Sequence, residues 1–264
     1  MMMVEAPGVA EMLGMTRFEA KFWWLQHIPA FVTPPATALM LLGAYVLLRK
    51  HREHAVMLLL WLALTAGYVV AFPNPHGSTG YGQKFTEAIS GDWGGKVMED
   101  IMKVTDALAA LPWVDEDRMG AMGWSWGGYA MMWLEGHTDR FKCLAAMMGV
   151  YDLRSMYGAT EELWFPEWEM RGPPWKSRQV YEKNSPARFV DRWKTPMLVI
   201  QGARDFRVVE TEAFSTFNAL QRRGIPSRLL YFPDENHWVL KPQNSRMWHR
   251  TVLEWLDRWT RTRR

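Results

Sequence analysis

Three side chains far apart in the chain, Ser125, Asp205 and His237, are of the types that together make a hydroxyl oxygen nucleophilic. Serine alone is a weak nucleophile at neutral pH. It needs a base to take its proton, and the base needs a partner that fixes its tautomer and stabilises its cation. Ser125 lies in Gly123-Trp124-Ser125-Trp126-Gly127, a Gly-x-Ser-x-Gly pattern that marks a sharp strand-to-helix turn with the serine at its apex. Strand and helix nearly touch at such a turn, so the positions two residues to either side must be small. Gly123 and Gly127 meet that need, and Gly128 adds room. Trp126 would open the helix, leaving its backbone N–H free to point at a developing oxyanion. The same five residues also read as a glycine-rich turn with an incidental serine. The apolar Met119 to Met122 before them and Tyr129 to Leu134 after them favour a strand and a buried helix.

The elements that must carry the other two residues follow from pattern. Met197-Leu198-Val199-Ile200 is an apolar strand after Pro196, and Gly202-Ala203-Arg204-Asp205 stands at its end. Arg228-Leu229-Leu230-Tyr231-Phe232 is another strand, and Pro233-Asp234-Glu235-Asn236-His237 is the loop after it. Serine, acid, histidine, each just past a strand's end, is the chain order of α/β-hydrolases. C-terminal strand ends are also the edge where α/β active sites assemble. Plainer readings stand beside this one. Asp205 could cap the helix near Val209, and His237 could be an ordinary polar loop residue. Asp234 competes as the acid, although it shares the histidine's own loop. His137 and His249 read as helix-surface residues, and His76 as a loop residue.

The remaining patterns fill in the scaffold. Val97, Ile101, Val104, Leu108 and Leu111 recur at intervals of four and three, one face of a helix ended by Pro112. Phe141 to Val150 holds a buried strand, Leu144 to Met148. Val209 to Arg223 is a helix with Phe214, Phe217 and Leu220 inward, and Trp248, Val252, Trp255, Leu256 and Trp259 form the stripe of a closing helix. Tyr151 to Tyr181 is rich in aromatics and has no clean period; it reads equally as a lid or pocket wall and as ordinary packing of a long excursion. Strands alternating with helices predict an α/β fold, a mainly parallel central sheet with helices on both faces.

Composition narrows the function. The 264 residues carry a formal charge of +3, with a pI near 9.0, and the basic residues are dispersed apart from Arg49 to Arg52 and Arg258 to Arg264. A nucleic-acid partner would want a concentrated basic face. The single cysteine, Cys143, allows no intramolecular disulfide, fits a reducing compartment, and reads as buried and inert. No Cys/His cluster has metal-ligand spacing. Met1 to Met15 lack the features of a signal peptide. Ala36 to Leu48 is too short to span a bilayer upright, and Ala55 to Phe72 only reaches the threshold. Gly67 interrupts the second run, and Tyr68 to Phe72 is β-prone. A helix near 55–65 followed by a core strand at 68–72 is therefore expected, with a cytoplasmic protein; membrane association through 36–72 is the alternative.

Four stretches together resemble the prolyl oligopeptidase family of serine peptidases. They are Asn74-Pro75-His76-Gly77-Ser78-Thr79-Gly80-Tyr81-Gly82, Gly91-Asp92-Trp93-Gly94-Gly95, Gly123 to Tyr129, and Glu235-Asn236-His237. The closer likeness is to the acylaminoacyl-peptidase and dipeptidyl-peptidase branches. The resemblance covers about Gly67 to Trp259. It implies an α/β-hydrolase fold, cleavage of peptide bonds and no cofactor. By matching position it implies Ser125 as nucleophile, Asp205 as acid, His237 as base and the Trp126 amide in the oxyanion hole. The first specificity pocket falls in the neighbourhood of Val150, Tyr151 and Tyr157. Residues 1–66 then form a divergent apolar segment packed on the core, and 67–264 the catalytic domain. The chain departs from the family twice. Its length leaves no room for the family's large N-terminal β-propeller. Val46 to His54, where a glycine-rich segment supplies the second oxyanion donor, has neither glycine nor tyrosine.

The expectation is thus a serine-type peptidase acting on short peptides, with an esterase for small acyl esters, or a weakened or silent hydrolase-fold protein, as the alternatives. Neither nucleic acid nor metal enters it.

Overall fold

The computed structural model describes residues 68, 70–112 and 114–261. From Pro73 onward these belong to one compact unit; Tyr68 to Phe72 belong to another. In the first unit, helices α1 (Gln83–Glu87) and α2 (Lys96–Ala109) precede strand β1 (Gly120–Trp124). Helix α3 (Trp126–Glu135) leads to β2 (Cys143–Met147). Three short helices, α4 (Leu153–Ala159), α5 (Trp164–Glu169) and α6 (Arg178–Asn184), fill the excursion before β3 (Met197–Gly202). Helix α7 (Glu210–Arg222), strand β4 (Ser227–Phe232) and helix α8 (Pro242–Thr260) complete it.

The four strands form one parallel sheet whose spatial order is the chain order. Parallel neighbours need crossovers, and the helices between strands supply them. The register pairs Trp124 with Met147, Met147 with Ile200, and Gly202 with Phe232, so the residues that follow the strands gather at one edge.

Successive residues of β2 and β3 point to opposite faces, and both faces are buried. Leu144, Ala146, Met197 and Val199 join a core with α2, α3 and α7. Cys143, Ala145, Met147, Leu198 and Ile200 join a second with Val252 and Trp255 of α8. Burial on both sides is why these strands are unbroken apolar runs. Each buried Leu, Val, Ile or Met contributes about 1.5–3 kcal/mol relative to exposure. Cys143 is fully buried, and burial pushes its thiol up to about 12, so it stays protonated. Among the described residues no helix is long and apolar enough to cross a membrane.

Several sequence expectations give way. The inward face of α7 is Ala213, Thr216 and Leu220 with Glu212, not Phe214; Phe214 is exposed and lies 5.5 Å from the Tyr231 ring. Adjacent helix positions differ by about 100°, and the phase here is fixed by Glu212, whose carboxylate is wanted inside. Helix α2 stops at Ala109, short of Leu111 and Pro112. The described residues of Tyr68 to Phe72 form no strand. A strand is made by its ladder partner more than by its own composition, and the described ladders run only among β1 to β4. The apolar runs before Gly67, and the Arg49 to His54 stretch, lie outside the described residues.

Glu135 closes α3 with a buried carboxylate. One oxygen accepts the amides of Lys194, at 2.7 Å, and Thr195, at 2.6 Å, and so holds the turn that enters β3. Burial raises its carboxyl from 4.5 to about 7, against the pull of the Thr195 and Lys194 amides. A raised pKa means the folded state holds the proton more tightly. The stability that follows is fully present below the unfolded pKa and is lost as pH rises from about 4.5 through 7. Glu135→Gln keeps an acceptor for both amides and removes the charge. It is expected to match the parent near pH 4.5 and exceed it at pH 8 by up to about 3 kcal/mol. Urea denaturation at the two pH values checks this; an offset that does not change with pH contradicts it.

Candidate active site

Ser125 is the turn between β1 and α3. Its backbone stands at φ 59, ψ −118, a region that costs a non-glycine residue on the order of 1–3 kcal/mol. The turn is held in place: the Ser125 N–H donates to Met147 O at 2.8 Å, and the Tyr129 N–H to Ser125 O at 3.0 Å. A Cβ on Gly123 would fall 2.2 Å from Gly127 O, and one on Gly128 2.5 Å from Met147 O. Gly127 differs from expectation, because a Cβ there would meet open space. Its backbone is what Gly123 must clear; its own side-chain position is not crowded. Trp126 is the first residue of α3, so its amide has no carbonyl four residues back to bond.

Asp205 follows β3 and is buried. Its Oδ1 accepts the amides of Val208, at 2.9 Å, and Arg207, at 3.1 Å, which fixes the carboxylate and turns Oδ2 toward His237. Gln201 closes the same turn, donating from Nε2 to Val208 O at 2.9 Å.

His237 brings the three together. Its Nδ1 is 2.6 Å from Asp205 Oδ2 and its Nε2 is 2.9 Å from Ser125 Oγ. An ionised carboxylate only accepts, so Nδ1 carries the hydrogen and Nε2 is left to accept from the serine hydroxyl. That arrangement can take a proton from an attacking hydroxyl, hold the resulting imidazolium against a carboxylate, and return the proton to a leaving group.

The histidine's loop is anchored through Glu235. Its carboxylate accepts the amides of Leu240, at 3.1 Å, and Lys241, at 2.9 Å, and the side chain of Asn244, at 2.7 Å. Burial works to raise its carboxyl, but these hydrogen bonds outweigh it and hold the group below the usual range. The imidazole Nδ1 is taken by Asp205, and the competing acid, Asp234, has other partners. It pairs with Lys241 and accepts from Asn244 at 2.9 Å, and those two partners lower its pKa. His76 pairs with Asp100 and stacks on Phe85, and His137 stacks on Trp133; neither joins Ser125.

Of the pocket candidates, Val150 is buried and Tyr151 is half-buried, edge-on to Trp193. The Tyr157 hydroxyl donates to Glu167 at 2.8 Å, and its ring makes edge-on contacts with Trp175 and Tyr181. Trp164, Trp168 and Trp175 of the same excursion are exposed. Sequence reasoning missed Glu212, one oxygen of which accepts the amides of Tyr151, at 2.9 Å, and Asp152, at 2.8 Å, holding the loop after β2. Burial, chiefly, raises its pKa. The sequence carried no local signal for it, because the phase expected from Phe214, Phe217 and Leu220 turns position 212 away from the core.

A serine at a strained strand-to-helix turn, with its acid and histidine on later loops at the C-terminal edge of a parallel, helix-covered sheet, defines the α/β-hydrolase fold. The chain belongs to the prolyl oligopeptidase family, whose model matches residues 56–263. Dipeptidyl-peptidase 5 of Porphyromonas gingivalis is 47% identical over 198 residues, covering 73% of this chain and 29% of that protein. Dipeptidyl-peptidase 5 of Schizosaccharomyces pombe is 45% identical over 199 residues, 74% of this chain and 29% of that one. The chain thus spans under a third of the length of these relatives. Among solved structures, the acylaminoacyl peptidase of Pyrococcus horikoshii superposes with a TM-score of 0.69 at 24% identity, covering 72% of this chain and 32% of that one. A puromycin-hydrolysing peptidase of Mycobacterium tuberculosis gives 0.68 at 29% identity, over 72% and 29%.

Proposed function

We propose that the protein is a serine-type peptidase that cleaves peptide bonds of short peptides through an acyl-enzyme. The observation that carries the reading is the continuous hydrogen-bonded line from Ser125 Oγ through His237 to Asp205. Ser125 attacks the scissile carbonyl while His237 Nε2 takes its proton, and Asp205 steadies the imidazolium. The Trp126 amide donates to the oxyanion. His237 then hands its proton to the departing amine, and water repeats the sequence to release the acid. Val150, Tyr151 and Tyr157 line the pocket for the residue on the acyl side of the cut. The names of the relatives favour removal of dipeptides from a free N-terminus.

The test is a panel of fluorogenic dipeptidyl amides, their N-acetyl counterparts and p-nitrophenyl esters. Dipeptidyl amides with a free amino group are expected to turn over fastest, with the intact dipeptide released. Turnover of the esters alone, with no amide cleaved, would replace the peptidase reading by an esterase.

A further inference from the structure

Trp124 is the last residue of β1 and the covalent neighbour of Ser125. Its indole N–H donates to the backbone carbonyl of His237 at 2.8 Å, across 113 positions of sequence. Its ring lies against that of Trp238, centroids 4.0 Å apart, and 4.9 Å from the His237 imidazole. One side chain therefore holds residues 237 and 238 from the strand that ends at the serine.

The other ties of this loop lead elsewhere. The Arg204 N–H donates to Glu235 O at 2.9 Å, and a Cβ on Gly202 would fall 2.3 Å from Asn236 O, so both bind the loop to the end of β3 and the turn of the acid. The Glu235 carboxylate binds it to the start of α8. These contacts set where His237 stands relative to Asp205. The hydrogen bond from Trp124 sets where it stands relative to Ser125.

We infer that Trp124 is a positioning residue for the proposed base: its indole N–H, given to the main chain of His237, holds Nε2 within reach of Ser125 Oγ. Gripping the histidine by its carbonyl leaves both ring nitrogens to Asp205 and Ser125. Indole is a donor only, and neither phenylalanine nor leucine can supply the N–H at that place. The loop from Pro233 to Lys241 has no helix or strand of its own to stiffen it. A shift of about 1 Å at a reacting group can cost on the order of a hundredfold in rate.

This inference rests on the serine-hydrolase reading above, and the experiment separates the two. Wild-type protein is first treated with a fluorophosphonate; a folded protein that takes no label at Ser125 sinks that reading. Given labelling, Trp124→Phe is compared with the parent for labelling rate, for kcat and KM on a p-nitrophenyl ester, and for melting temperature. Trp124→Phe keeps the stack on Trp238 and loses the N–H. Labelling rate and kcat are expected to fall about tenfold, as for loss of one hydrogen bond that holds a reacting group, with KM within about twofold. In a His237→Ala background the same substitution should change the residual rate by less than about twofold, because its effect runs through the histidine. Should Trp124→Phe unfold, benzothienylalanine at 124, an isostere with sulfur in place of the N–H, is expected to show the same tenfold loss in a folded protein. A labelled protein whose rate is indifferent to either replacement overturns the inference. So does an equal loss with and without His237, which would mean Trp124 acts on the substrate directly.

Discussion

Ser125→Ala is expected to lower kcat by about a million-fold while leaving the protein folded. The serine, histidine and acid act as a unit, so removing the nucleophile costs about as much as removing all three. What remains, roughly a thousand-fold or more over water, comes from substrate binding and the oxyanion donor. The substitution suits the site because alanine keeps the Cβ that the turn already accommodates. The hydrogen bonds that fix the turn, from Ser125 N–H to Met147 O and from Tyr129 N–H to Ser125 O, are main-chain bonds and survive. Peptide turnover and melting temperature, measured together, check it. A folded Ser125→Ala protein that still turns over peptides within tenfold of the parent would remove Ser125 from the mechanism.

Asp205→Asn is expected to lower kcat by about ten-thousand-fold. The amide oxygen of asparagine can still accept from Arg207 and Val208, so the turn after β3 keeps its shape. Its NH₂ then faces His237 Nδ1, which must become the acceptor. The hydrogen moves to Nε2, and the imidazole can no longer take a proton from Ser125. Asp234→Asn, by contrast, disturbs only the ion pair with Lys241 and a hydrogen bond from Asn244. Its expected effect on kcat is less than about threefold. The reverse ranking in steady-state kinetics of the two variants would transfer the role of acid to Asp234.

Much of the scaffold was legible because its signals are local. The Gly-x-Ser-x-Gly turn, the apolar runs of β2 and β3 and the stripe of α8 each announce themselves within about a dozen residues. The chain order of Ser125, Asp205 and His237 pointed to one edge of a parallel sheet, and the sheet gathers them there. What local pattern could not reach depends on partners distant in sequence. The phase of α7 is set by Glu212 reaching the loop after β2, so Phe214 faces out despite being the larger apolar residue. The aromatic excursion from Tyr151 to Tyr181 breaks into α4, α5 and α6, each too short to show a period. The choice between Asp205 and Asp234 turns on which carboxylate Lys241 and Asn244 occupy. The link from Trp124 to His237 joins residues whose only sequence relation is that each flanks or forms part of the site.

Three glutamates to which sequence reading assigned no role share one use. Glu135, Glu212 and Glu235 each give a carboxylate to two successive backbone amides, and each does so on a connection next to a site element: the entry to β3, the loop after β2 and the loop of His237. A carboxylate is a strong acceptor for main-chain N–H groups that would otherwise be buried without partners.

The central claim is that Ser125 is the nucleophile of a working triad. It is tested most directly by treating the protein with a fluorophosphonate and locating the adduct by peptide mass spectrometry. The account predicts a single adduct, on Ser125, formed quickly by the parent, far more slowly by Asp205→Asn, and absent from Ser125→Ala. An adduct on any other residue, or a folded parent protein that acquires none, would contradict it.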